Sequence, residues 1–147
     1  VALGGAQWAS VEGRKAFEPV SDCMGAQHTL CCPHDIKGPS AICKSVTKID
    51  HSKAGNGTLL NWKFSPAALE GDTGLDNLIS LLDTYVQRKG MHSQFTVASK
   101  ETLLDAQKNP SEYKDLLVRV AGYSAYFVEL SKGLQDDIIG RTELNFS

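Results

Sequence analysis

The chain has 147 residues, a formal net charge of −2, 41% hydrophobic and 22% charged residues, a composition that allows an ordinary globular core. No basic surplus points to nucleic acid or an anionic membrane as a partner. No apolar stretch approaches the roughly 20 residues that cross a bilayer, and the amino terminus lacks a signal-peptide layout, so the cytoplasm is the expected compartment.

In chain order, residues 1–17 are rich in glycine and alanine, with Trp8 the large side chain of the opening run. A polar loop then runs from Glu18-Pro19 to Asp35 and carries Cys23, His28, Cys31, Cys32 and His34. Thiolates and imidazoles at close spacing can complete a tetrahedral zinc site. This run has no Cys-x-x-Cys pair, however, and adjacent cysteines fit one ion poorly. The expectation is no metal, and with Cys43 four reduced thiols that pack or line a pocket.

Gly38-Pro39-Ser40 reads as a loop ending on a serine N-cap. Ile42, Val46 and Ile49 recur at helical spacing, in a helix that should stop at Gly55-Asn56-Gly57, with Lys44, Lys48 and Lys53 on its solvated face. Residues 58–64 are a strand candidate. The strongest amphipathic pattern covers 73–89, where Leu75, Leu78, Ile79, Leu82 and Val86 form one apolar stripe. Asp72 or Thr73 can cap that helix and Gly90 can end it.

A short strand is expected over 94–98. A helix capped by Ser99 should run through Lys108, stopped by Asn109-Pro110 because the residue before proline avoids the α region. His51 and His92 are isolated in sequence and stay unassigned. Residues 116–120 form a strand-like approach to Gly122, and Ser131 can cap a last helix in which Leu134, Ile138 and Arg141 share a face. The alternation of short strands and helices indicates α/β.

Gly122 is the position that ordinary structural needs explain least, because it interrupts an apolar run over 116–128. Inside a strand-like pattern a glycine usually marks a bulge or a close backbone approach. The sharper reading is that the glycine itself reacts. Loss of one Cα hydrogen leaves a radical spread over both neighbouring amides, a planar arrangement that a β-carbon would hinder.

Arg119-Val120-Ala121-Gly122-Tyr123-Ser124-Ala125, followed by Gln135-Asp136-Asp137-Ile138-Ile139 and Arg141-Thr142-Glu143, resembles the radical-bearing carboxyl terminus of the glycyl radical enzymes, the pyruvate formate-lyase-like family. Gly13-Arg14-Lys15-Ala16-Phe17-Glu18-Pro19, Asp35-Ile36-Lys37-Gly38-Pro39-Ser40-Ala41 and Asn56-Gly57-Thr58-Leu59-Leu60-Asn61 resemble further family motifs in family order. Where members often carry Thr-Pro-Asp-Gly-Arg, this chain has Ser10-Val11-Glu12-Gly13-Arg14, which keeps an acid, a glycine and an arginine but loses the proline.

The resemblance implies a carboxyl-terminal fragment of a longer enzyme: residues 1–64 as the end of the pyruvate formate-lyase-like barrel and 65–147 as the glycyl radical domain. Together they would be the last strand–helix units of a ten-stranded barrel, with the radical glycine on a central loop. Gly122 is implied as the radical store and Arg119, Val120, Ala121, Tyr123, Ser124 and Ala125 as its loop neighbours. Val120, Ala121, Tyr123 and Phe127 suit a burial that keeps out water and oxygen.

No bound cofactor is implied. The glycyl radical is post-translational, installed by a separate radical S-adenosylmethionine activating enzyme that keeps the S-adenosylmethionine and iron–sulfur cluster. The radical would generate a thiyl radical on a cysteine outside this fragment, since none of Cys23, Cys31, Cys32 and Cys43 matches that motif. Partners are then the activating enzyme, a small-molecule substrate and the rest of the parent chain, with a homodimer allowed and neither nucleic acid nor membrane.

The loop over 23–35 departs from the family in length while its flanks do not, so it should face the barrel interior or mouth. With Trp8 and Trp62 in family motifs, the reading leans to C–C chemistry on an apolar or aromatic substrate, as in fumarate-adding benzyl- or alkylsuccinate synthases or an arylacetate decarboxylase. The alternatives are a glycyl radical dehydratase, a choline trimethylamine-lyase type C–N lyase, or a stand-alone spare radical module that repairs a damaged enzyme.

Overall fold

Leu60, Trp62 and Phe64 alternate with Asn61 and Lys63, so a strand there must turn an apolar face to one side and a polar face to the other. The computed structural model of the chain describes residues 4–11, 13–18, 20–21, 23–24 and 35–146. His28, Cys31, Cys32, His34 and most of the loop over 23–35 lie outside the described residues, and with them the expectations of an unmetallated cluster and an inward-facing loop.

The elements in chain order are helix α1 (Gly38–Val46), strand β1 (Leu59–Phe64), helix α2 (Gly71–Gln87), strand β2 (His92–Val97), helix α3 (Lys100–Lys108), strands β3 (Leu117–Arg119) and β4 (Ser124–Tyr126), and helix α4 (Lys132–Gly140). Strands β1 and β2 pair in parallel, with Asn61 opposite Gln94 and Lys63 opposite Thr96, and α2 lies in the crossover that parallel pairing requires. The fold is a mixed α/β arrangement.

The apolar face of β1 forms one core with Cys43, Val46, Leu81, Tyr85 and Leu144. Leu144 bridges beside Phe64 in the carboxyl-terminal tail, and Phe146 stacks on Phe64 with ring centroids 5.3 Å apart. A second core joins Leu103 and Ala106 of α3, Val118, Val120 and Phe127, and Ile138 and Ile139 of α4.

Helix α1 starts at Gly38 with Pro39 in its first turn, so Ser40 lies inside the helix and Lys37 takes the N-cap position. It ends at Val46, far short of Gly55. The buried His51 ring donates from Nε2 to the Val46 carbonyl at 3.2 Å while Nδ1 lies 2.7 Å from Thr58 Oγ1, which satisfies the helix end. Asp50 then caps a separate 3-10 turn, His51–Lys53, and Ile49 is left exposed. His51 is thus structural.

Helix α2 differs from its prediction at both ends and in its rotation. It begins at Gly71 after Glu70, without a side-chain cap from Asp72 or Thr73. Gly74, Leu81 and Tyr85 are its buried residues, whereas Leu75, Ile79 and Val86 of the expected stripe are exposed. Gly74 decides this face, because a β-carbon there would lie 2.6 Å from the Leu69 backbone and only glycine lets the helix come so close.

At the other end Lys89, not Gly90, takes the left-handed conformation with φ 68°, and Gly90 N donates to the Tyr85 carbonyl at 2.9 Å, the pattern of a helix-ending turn. Gly90 serves another purpose: a β-carbon there would run into the Tyr85 ring.

Strand β2 starts two residues earlier than expected and stops at Val97. Helix α3 matches its prediction, with Ser99 Oγ accepting from Thr102 N at 3.1 Å and Asn109 at its end. Ser131 holds the N-cap position of α4 without a side-chain bond. Its backbone carbonyl accepts instead, from Leu134 N and Gln135 N.

Substituting Gly90→Ala should lower stability by about 1–3 kcal/mol, the usual cost of overpacking, seen as a lower urea midpoint. Gly55→Ala, where the added methyl meets nothing within 4 Å among the described residues beyond its chain neighbours, should leave the midpoint nearly unchanged.

Candidate functional site: the hairpin around Gly122

The apolar run over 116–128 is a β-hairpin. Strands β3 and β4 are antiparallel with Arg119 opposite Ser124 as the last pair, and Val120 N donates to the Tyr123 carbonyl at 2.9 Å to close the turn. Gly122 sits at its tip with φ +78°, a conformation glycine adopts without steric cost. The expected bulge or close approach is therefore replaced by a turn, since among the described residues no atom beyond its chain neighbours lies within 4 Å of where a β-carbon would project.

The polar face of β1–β2 holds this turn. Gln94 is 6% exposed, and its Oε1 accepts from Arg119 Nε at 2.8 Å and from Gly122 N at 3.2 Å. Its Nε2 can only donate, so the His92 Nε2 found 2.8 Å away must accept. Thr96 Oγ1 accepts from Arg119 N at 3.2 Å and donates to Arg119 O at 3.4 Å. Arg119 Nη1 also donates to Ser124 Oγ at 3.0 Å, and Asn61 Nδ2 reaches Val120 O at 3.5 Å.

Helix α4 supplies the other side. Arg141, 7% exposed, donates from Nη1 to Arg119 O at 2.9 Å and from Nη2 to Val120 O at 2.8 Å, with Asp137 Oδ2 3.5 Å away. Lys63, 3% exposed, donates to Ile139 O at 3.4 Å and to Arg141 O at 3.3 Å. Burial pushes the Lys63 amine below its ordinary range, with the Glu143 charge opposing that shift.

Of the apolar neighbours expected to be buried, Val120 and Phe127 are, whereas Ala121 is exposed and Tyr123 is 51% exposed. The turn carries residues 121–123 outward from this chain's own core. Ser124 is exposed and Ala125 half-buried. Trp62 lies on the opposite, apolar face, buried with its ring 6.3 Å from that of Tyr85, so it does not look towards Gly122. Trp8 is exposed and packs against Phe17.

Cys43 belongs to the first core, where burial raises its thiol pKa against the lowering effect of Arg88. Cys23 is exposed, bridges to Leu60 through its backbone and lies 3.8 Å from Asn61 Nδ2. None of Gln94, Thr96 and Lys63 is singled out by the sequence, where Asn61 enters only as the end of the motif that starts at Asn56. Their signal is polar residues recurring at every second position of two strands whose other positions are largely apolar.

A family model described as glycine radical matches residues 31–128, a span that contains the hairpin and Gly122. The chain belongs to the glycine radical family. It is 57% identical over 138 residues to the (2S)-3-sulfopropanediol dehydratase of Klebsiella oxytoca, covering 94% of this chain and 17% of that protein. It superposes on the glycerol-bound B12-independent glycerol dehydratase of Clostridium butyricum with a TM-score of 0.90 and 50% identity, over 99% of this chain and 18% of that one. The indoleacetate decarboxylase of Tractidigestivibacter scatoligenes is 42% identical over 109 residues, 74% of this chain and 12% of that protein. The chain thus spans about 17% of the length of the first of these relatives.

Arg141→Leu would leave two hairpin carbonyls and the Asp137 carboxylate without their cation. A loss of about 3–5 kcal/mol is expected, as for breaking a buried ion pair from one side, together with faster amide exchange over 119–123. Lys63 gives a pH signature. Unfolding returns its amine to about 10.5, so between the lowered folded value and 10.5 the unfolded chain binds more protons and stability rises with pH. Relative to Lys63→Met, the native chain should gain in urea midpoint as pH is raised through that window; a constant or falling difference would remove the buried amine.

Proposed function

We propose that this chain is the radical-storing carboxyl-terminal part of a glycyl radical enzyme, with Gly122 as the radical site. The observation that carries this reading is the position of Gly122 at the tip of the hairpin with φ +78°, its N–H held by the buried Gln94. Breaking one Cα–H bond leaves an unpaired electron shared between the flanking amide nitrogen and carbonyl. Glycine can relax from φ +78° to the planar radical because no β-carbon opposes the change.

Residues 1–64 would then close the barrel and 65–147 form the glycyl radical domain, with the hairpin as the loop at the barrel's centre. A separate radical S-adenosylmethionine enzyme would take one hydrogen atom from Gly122. The stored radical would later take the hydrogen atom of a cysteine thiol outside these residues, restoring glycine and leaving a thiyl radical to act on the substrate. Among the described residues no helix is long and apolar enough to cross a membrane, and a cytoplasmic location is part of the proposal.

For the reaction we favour dehydration of a small hydroxylated substrate. The two dehydratases named above, at 57% and 50% identity over nearly the whole chain, support it. The C–C reading on an aromatic substrate is supported by the indoleacetate decarboxylase, at 42% over a shorter stretch. The Trp62 indole that also favoured it packs into the core.

The test is anaerobic activation of the full-length parent. Electron paramagnetic resonance should show an organic doublet from the one remaining α-hydrogen, collapsing when the protein is labelled with α-deuterated glycine. Air should then cut the chain at Gly122 and release a peptide beginning near Tyr123. Gly122→Ala should cost about 1–2 kcal/mol for its left-handed turn, and Gly122→Asn less, since asparagine tolerates that conformation. Both should lose the doublet and the cleavage. A doublet that survives in the asparagine variant would place the radical elsewhere.

A further inference from the structure

We propose that Gln94 is a positioning residue that sets the electronic character of the Gly122 radical, an inference that rests on the reading of Gly122 as the radical site. A buried central position of a parallel pair favours an apolar β-former, yet this one carries a primary amide. Every polar atom of that amide faces a partner: Oε1 takes Arg119 Nε and Gly122 N, and Nε2 faces His92. With two donors on one oxygen and an acceptor ring nitrogen on the other side, the amide has one orientation that satisfies all contacts. The pairing of Gln94 with Asn61 in β1 fixes its backbone, so the acceptor is presented from a strand rather than from a loop.

The bond to Gly122 N differs in kind from the others that hold the hairpin. Arg141, Thr96 and Asn61 act on the backbone of residues 119 and 120, outside the two amides that share the unpaired electron. Gln94 acts on one of those two. An oxygen accepting from the glycine N–H raises electron density on the nitrogen, strengthens its donation into the half-filled Cα orbital and fixes the plane of the 121–122 peptide. Spin should move from Cα towards nitrogen, and the Cα–H bond should break more readily. The Arg119 guanidinium on the same oxygen moderates that acceptor and ties its position to β3.

The experiment uses the full-length parent labelled with 15N-glycine, activated anaerobically and read by electron–nuclear double resonance. Gln94→Leu should change the nitrogen and α-hydrogen couplings and lower the radical yield by roughly three- to tenfold, the range of one net hydrogen bond. Gln94→Glu, which keeps an acceptor at that position, should recover most of the yield. Thr96→Val loosens the hairpin without touching the Gly122 amide and should leave both couplings unchanged. Should Gln94→Leu fail to fold, Gln94→Glu decides alone: a carboxylate is a stronger acceptor than an amide, so its nitrogen coupling must differ from that of the native protein. Native couplings in Gln94→Leu, or in Gln94→Glu when that variant alone folds, would overturn the inference while leaving Gly122 as the site. Altered couplings in Thr96→Val equal to those in Gln94→Leu would reduce Gln94 to general support. Absence of a doublet in the native parent would instead remove the radical reading itself.

Discussion

Two buried cations on backbone carbonyls fix the hairpin in place. Strands β3 and β4 have three residues each, too few to be stable as an isolated ribbon, and Leu117 and Tyr126 are exposed. Apolar burial at Val118 and Val120 anchors one side. The turn itself depends on Arg141, whose guanidinium draws the carbonyls of Arg119 and Val120 to the end of α4, and on Lys63, which binds the carbonyls of Ile139 and Arg141. A guanidinium suits this work because its planar fork can meet two carbonyls at once. Neither cation could lose its partners cheaply, since a buried charge without them would carry its full desolvation cost.

Strands β1 and β2 meet two different environments on their two faces. Leu60, Trp62 and Phe64 meet aliphatic and aromatic side chains, while Asn61, Lys63, Gln94 and Thr96 meet backbone amides and carbonyls of the hairpin and α4. Because side chains alternate along a strand, Trp62 faces away from the hairpin while Asn61 reaches Val120 and Lys63 reaches the end of α4. The indole is therefore a packing residue, and the polar row is what holds the hairpin.

Elements whose signals are local were legible in the sequence. Strand β1 and helix α3 fall where period and capping placed them, since Ser99 and Asn109-Pro110 act through their own backbone neighbourhood. What depended on tertiary contacts was not legible. The rotation of α2 is decided by the approach of Gly74 to Leu69, and the end of α1 by the reach of His51. Neither is visible as periodicity. Gln94 was read only as the start of a strand, because a single polar residue among apolar ones says nothing about which backbone amide it will meet. Gly122 was legible as unusual through its motif, but its turn was hidden by the apolar character of its flanks.

As the proposed radical site, Gly122 would answer two demands that need not coincide. The turn asks for positive φ, which glycine meets without cost and asparagine meets tolerably. Radical storage asks that no β-carbon oppose a planar Cα, which glycine alone satisfies. Under the proposed role of Gly122 the two demands fall on one residue of this hairpin, and that has a physical benefit. At the tip of this left-handed turn the Cα hydrogen of Gly122 that a β-carbon would replace meets no other described residue of this chain beyond its neighbours within 4 Å, while its N–H is held by Gln94. A glycine in an extended strand would have its amides committed to the neighbouring strand and its Cα covered by it. The turn instead leaves one group anchored and the other uncovered by this chain, an arrangement suited to the proposed role, in which an activating partner reaches a site of fixed geometry.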